Sequence, residues 1–144
     1  MGRYAQVDRS MWVDEKFLTL SAPKPNAQTL FVWLLTSPDA SIIPGTYRIG
    51  LAGIAESLGW STKTTAALLS ELERAGMVRV DLKARLVWLP NALRRNAPKG
   101  PDNIAPWEKA WQELPECALK AEVWQAAWDH FSERDPKFVE RFEA

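Results

Sequence analysis

IGLAGIAESLGWSTKTTAALLSELERAGMVRVDLKARLVWL, residues Ile49 to Leu89, decides the fold of this 144-residue chain. Leu51, Ile54, Ala55 and Leu58 recur at helical spacing, and Gly59 follows, a residue that accepts the left-handed backbone at a helix end. The small Ala55 lets a second helix cross closely, and Trp60 fills the corner. Ser61 suits an N-cap, because its hydroxyl can accept a backbone N–H from the first turn. In the helix it opens, Thr65, Leu68, Leu69 and Leu72 form the inward stripe, while Thr62, Lys63, Ala66, Ala67 and Ser70 face outward. Gly76 stops that helix. Met77 to Asp81 and Arg85 to Leu89 then alternate as two strands, with Lys83 near the tip between them. Helix, tight turn, longer helix and hairpin make a helix-turn-helix with a wing.

Upstream, Ala27, Leu30, Phe31, Leu34 and Leu35 mark a helix that Asn26 caps and Pro38 ends. Met11, Trp12, Phe17 and Leu18 are expected to tuck onto the core from short helical turns, and Thr46 to Ile49 is expected to be a short first strand. The fold expected is therefore mainly α (α+β), a winged helix-turn-helix of order α-β-α-α-β-β over residues 1–90. Residues 91–106, rich in proline and carrying Arg94, Arg95 and Lys99, read as an extended linker or arm. A helical appendage is expected over 107–144. In it, Ile104, Trp107, Trp111 and Leu114 suggest one helix, and Leu119, Val123, Trp124, Ala127, Trp128 and Phe131 a second, with Pro115 at its start. Asp135-Pro136 is expected to break that helix before a last frayed turn.

The formal net charge is zero, but the charges are segregated. Residues 46–100 hold nine basic groups against four acidic, whereas residues 101–144 hold five against ten. The positive excess thus falls on the segment where phosphate contacts would be needed. A recognition helix with small outward residues can approach a DNA groove closely, its first turn nearest the base edges. Thr62, Lys63, Thr64, Ala66 and Ala67 are the groove candidates. Lys83 and Arg85 are candidates for backbone or minor-groove contact from the wing, and Arg94, Arg95 and Lys99 for phosphate contacts along the arm.

Catalysis finds little support. His130 is the single histidine and sits beside Asp129 late in an acidic helix, so no His-based metal cluster can form. The glycines of GLAGIAESLG punctuate a helix and lack the Lys-Ser/Thr of a phosphate loop. No enzyme activity, metal or cofactor is expected. The lone Cys117 excludes an internal disulfide and fits a reducing cytoplasm; no signal-peptide core or membrane-spanning apolar run is evident. Eight tryptophans are many for this length. Trp12, Trp33, Trp60 and Trp88 suit core or rim positions in the winged-helix segment. Trp107 with Trp111, and Trp124 with Trp128, each share a helix face. These four either pack the two helices on each other or on the winged helix, or form a surface for a homodimer or protein partner.

Several motifs taken together resemble a known family. WVDEKFLTL at 12–20, FVWLLTSP at 31–38, GTYRI at 45–49, GWSTKTTAALLSELERAGMV at 59–78 and VWLPN at 87–91 are similar to the N-terminal winged-helix domain of phage replication proteins. Those are replisome organisers, initiators and helicase loaders related to the DnaD-type primosome family. The run RRNAPKGPDNIAPWEKAWQELPEC, residues 94–117, is similar to the segment that follows in such proteins. The resemblance implies a non-catalytic protein that binds double-stranded DNA in phage or prophage replication initiation or primosome assembly, within the bacterial cytoplasm or nucleoid. The tryptophan-rich C-terminal helices would then support a homodimer or a replication-protein partner. The recognition helix is richer in Ala and Thr than in many such proteins, which favours duplex binding or adaptor work over helicase loading. Two alternatives stand beside this: a transcriptional repressor of the same fold, and a protein-binding adaptor or inhibitor that uses the winged helix as scaffold.

Overall fold

In a computed structural model, residues 5–95, 101–133 and 136–143 are described. They are mainly helical, with a small three-stranded antiparallel sheet, an α+β arrangement. A 3-10 turn (Arg9–Val13) and α1 (Glu15–Leu18) precede α2 (Ala27–Thr36), β1 (Thr46–Tyr47), α3 (Leu51–Leu58) and α4 (Thr62–Arg74). The hairpin β2 (Arg79–Asp81) and β3 (Leu86–Trp88) follows, then α5 (Ala92–Arg95) and a second 3-10 turn (Pro101–Ile104). Helices α6 (Trp107–Glu113), α7 (Ala118–Ser132) and α8 (Pro136–Glu143) complete the order.

Local signals set the ends of these elements. The Asn26 side chain accepts from the Thr29 N–H at 2.7 Å and opens α2. Gly59 closes α3 in the left-handed region (φ +72°), with the Trp60 N–H turning back to the Ala55 carbonyl at 2.9 Å. The Ser61 hydroxyl accepts from the Thr64 N–H at 3.1 Å and opens α4. Thr65, fully buried on the inner face, satisfies its hydroxyl by donating to the Ser61 carbonyl at 2.8 Å. Trp60 is buried at the corner and donates its indole N–H to the Pro23 carbonyl at 2.9 Å.

Strand β3 lies between its neighbours, in the order β1-β3-β2. Thr46 pairs with Trp88 and Tyr47 with Val87, while Val80 pairs with Val87 on the other side. All three β3 residues are buried, because both faces of the strand are covered. Val87, followed by Leu89, joins Leu30, Trp33, Leu34, Ile54, Leu58, Leu69 and Leu72 in one core. Leu86 and Trp88 point the other way and join Ile43, Ile104, Trp107, Leu119, Val123, Ala127 and Phe131 in a second. The two cores share the sheet as a common wall.

The second core is built from both sides of the expected boundary at residue 90, with α6 and α7 packed on the winged-helix segment, as one reading of their tryptophans had it. Residue 90 is not a packing boundary, since α6 and α7 cover one face of the hairpin rather than hanging from it. Nor is the arm extended where it is described: α5 is helical, Pro101–Ile104 forms a 3-10 turn, and Ala92 and Ile104 are buried. Gly45 (φ +81°) seats α5's first residue, for a Cβ there would lie 2.6 Å from the Leu89 carbonyl oxygen and 2.7 Å from the Ala92 Cβ.

Smaller differences have local causes. The strands are shorter than expected, because Met77 still bonds back to the Leu72 carbonyl and Arg85 takes a positive φ in the turn. In α2 the inward positions are Leu30, Trp33 and Leu34, and Leu35 faces solvent. Leu18 is exposed, not tucked in. Helix α7 starts at Ala118, after an extended Cys117, rather than at Pro115. Eight residues from Pro136 form α8 where a frayed turn was expected. Helix α6 ends on two long cations: Arg48 Nη1 donates to the Glu113 carbonyl at 3.0 Å, and the buried Lys120 Nζ donates to the Leu114 carbonyl at 3.2 Å. Each supplies a partner that the last turn of a helix lacks.

Candidate nucleic-acid interface

The outer face of α4 carries Thr62, Lys63, Thr64, Ala67 and Ser70 as exposed residues, with Ala66 half-buried. Its first turn holds no acidic residue, so the partial positive charge at this helix end is unopposed from within the helix. Thr64 Oγ1 accepts from the Ser61 hydroxyl at 2.9 Å, which leaves its own proton free to be donated outward. Small side chains at 66, 67 and 70 keep the helix surface low enough for a groove edge to come close.

Leu82, Lys83, Ala84 and Arg85 form the tip of the hairpin, and Lys83 and Arg85 are exposed there. The Asp81 carboxylate accepts from the Ala84 N–H at 2.9 Å and fixes the turn. Arg85 completes it at φ +61°. The stem of Arg85 then lies on Gly50, just ahead of α3: a Cβ on that glycine would meet Arg85 Cγ at 3.0 Å. Arg85 therefore sits at the start of α3, while Lys63 sits beyond its end. Eight residues of α3 separate them by roughly 12 Å along the helix axis.

One cation escaped the sequence reading. The Pro23 carbonyl that receives the Trp60 indole puts the exposed Lys24 beside the α3–α4 corner. SAPKPN reads only as a loop in the sequence, and nothing local signals this contact across the fold. Arg79, by contrast, is engaged: its Nη1 lies 2.9 Å from Glu122 Oε1, its Nη2 donates to Glu122 Oε2 at 3.2 Å, and Glu73 stands 4.0 Å away.

Arg94 is not brought to this surface. Strand β3 runs from the tip toward α5, so Arg94 lies past the opposite end of the hairpin from Arg85. There it lines a cleft of about 450 Å³ together with Asp129, His130 and Glu133. The side chain of Arg95, and Lys99, lie outside the described residues.

Of the four tryptophans expected on a partner surface, Trp107 is the most deeply set. It is buried in the second core against Phe131, ring centroids 5.8 Å apart. Trp111, Trp124 and Trp128 are half-buried. Trp124 leans on Phe142 of α8 at 5.5 Å, and the Trp128 indole donates to Glu143 Oε1 at 2.6 Å. Among the described residues no group of three metal-ligating side chains is assembled, and no helix is long and apolar enough to cross a membrane. No family model matches the chain, and no curated protein or solved structure matches it.

Proposed function

We propose that the chain is a winged-helix protein that binds double-stranded DNA without catalysing a reaction, with α4 as recognition helix and Leu82–Arg85 as a short wing. The observation that carries this is the face of α4: exposed Thr62, Lys63, Thr64 and Ala67 on a Ser61-capped first turn free of acidic residues. Lys83 and Arg85 at the hairpin tip, and Lys24 beside the corner, add exposed cations for phosphate contact. The resemblance to phage replication proteins directs this activity to replication initiation or primosome assembly in a bacterial cytoplasm. A repressor of the same fold is the nearest alternative. The C-terminal helices, through Trp111, Trp124 and Trp128, would take a protein partner or a second copy.

A protein adaptor that uses the fold as scaffold is favoured by a different observation. Val32 and Leu35 on α2, with Leu18 and Leu20 ahead of it, are large apolar residues left exposed.

Titration of the full chain against fluorescent random duplex DNA at increasing salt separates these readings. Four phosphate-facing cations predict a log–log slope of roughly −3 to −4. Absence of binding at low salt would reject the DNA reading and favour the adaptor.

A further inference from the structure

A cleft of about 740 Å³ opens among the C-terminal helices, away from α4. Its walls are aromatic, built from Trp107, Trp111, Trp124 and Phe142, and Glu108 and Glu143 stand among its lining residues. None of the described residues lining it is basic. Trp128 holds Glu143 in place through Oε1, and Trp124 packs at a tilt against Phe142, so the carboxylate and the aromatic wall are fixed by the same seating of α8. Trp111 already accepts a cation inside the fold: Lys120 Nζ lies 5.3 Å from its ring centroid and is no part of the cleft lining.

We propose that this cleft receives an arginine side chain carried on an apolar segment of a partner protein. This deepens, and rests on, the reading of the C-terminal helices as a partner surface. Indole faces are electron-rich and attract a cation laid over them. A guanidinium suits such a wall better than an ammonium, because it is planar, stacks, and sheds its hydration more readily. The two carboxylates supply charge that no basic residue answers among the described lining of the cleft. The volume also falls in the range of small-ligand clefts, leaving room for apolar neighbours of the arginine.

The test uses the full chain, observed through its tryptophan indole N–H signals. The probes are the peptide acetyl-Ala-Leu-Arg-Leu-Ala-amide and its isostere with neutral citrulline in place of arginine. The arginine peptide is expected to shift the Trp107, Trp111 and Trp124 indoles saturably. The citrulline peptide should bind at least about fivefold more weakly. Glu108→Gln, at an exposed position, should weaken the arginine peptide about two- to fivefold with an unchanged melting temperature. Equal affinity for the two peptides would overturn the cation assignment while leaving a partner surface standing. No indole shift from either peptide at millimolar concentration would overturn both. Duplex binding measured on the same sample reports separately on α4.

Discussion

The side-chain stem of Arg85 lies over Gly50, so the hairpin tip and the start of α3 are built as one unit. Arg85 also holds a positive φ of 61°, a conformation that costs a non-glycine residue on the order of 1 kcal/mol. The proposed role and the local strain therefore make opposite demands on this position. Arg85→Gly is expected to leave the melting temperature unchanged or raise it, while duplex affinity falls and the salt slope loses about one unit. Arg85→Ala keeps the strain, loses the stem contact and weakens binding equally. Thermal unfolding and anisotropy on the two variants check this; a Gly variant that binds DNA as well as the parent contradicts the assignment.

Ser61 separates stability from binding in a second way. Ser61→Ala removes the hydroxyl that accepts from Thr64 and should cost about 1 kcal/mol of stability. Ser61→Asp retains a capping acceptor and suits the helix dipole, so stability should hold. The new carboxylate would nevertheless face the phosphates beside Lys63, and duplex affinity should drop about tenfold or more. A stable Asp variant with full affinity would move the DNA surface away from the first turn of α4.

Gly45 tests how the sheet and α5 fit together. A Cβ at this position would collide with the Leu89 carbonyl oxygen and the Ala92 Cβ, neither of which is the end of a flexible chain, and φ is +81°. Gly45→Ala is expected to cost about 2–4 kcal/mol by chemical denaturation. A loss below 1 kcal/mol, on the order of an exposed-site change, would mean that α5 moves freely.

Burial pushes the Tyr47 phenol above its ordinary value near 10, against the charge and hydrogen bond of Arg9, which pull it down. The folded state thus holds this proton more tightly than the unfolded chain does. The associated stability is fully present below the unfolded value and is lost as the pH rises through and beyond it. Stability should therefore fall as the pH rises above about 10, and Tyr47→Phe should flatten that part of the profile. Denaturation midpoints across this range check the sign.

What the sequence made legible was what neighbours in the chain determine. Gly59, Trp60, Ser61 and Thr65 act on neighbours within a few residues, so the α3–α4 corner could be read from spacing and residue type alone. The cover on the far face of the hairpin depends on contacts from Ile104, Trp107 and Val123 to Leu86 and Trp88, which are distant in the chain, so the tryptophan spacing alone left several partners open. One signal was passed over in reading Arg85 to Leu89 as an alternation: LVWL is an unbroken apolar run, as befits a strand buried on both faces. The positions of Lys24 and Arg94 were equally beyond reach, because each follows from how distant segments fold against the corner and the hairpin.

The central claim is that α4 and the hairpin tip meet duplex DNA. Backbone amide shifts of the full chain, followed during titration with a short random duplex at low salt, test it most directly. The account predicts the largest changes at Thr62 to Ala67 and at Lys83 to Arg85, with Trp111 and Trp124 undisturbed. Changes confined to the C-terminal helices, or none at all, would contradict it.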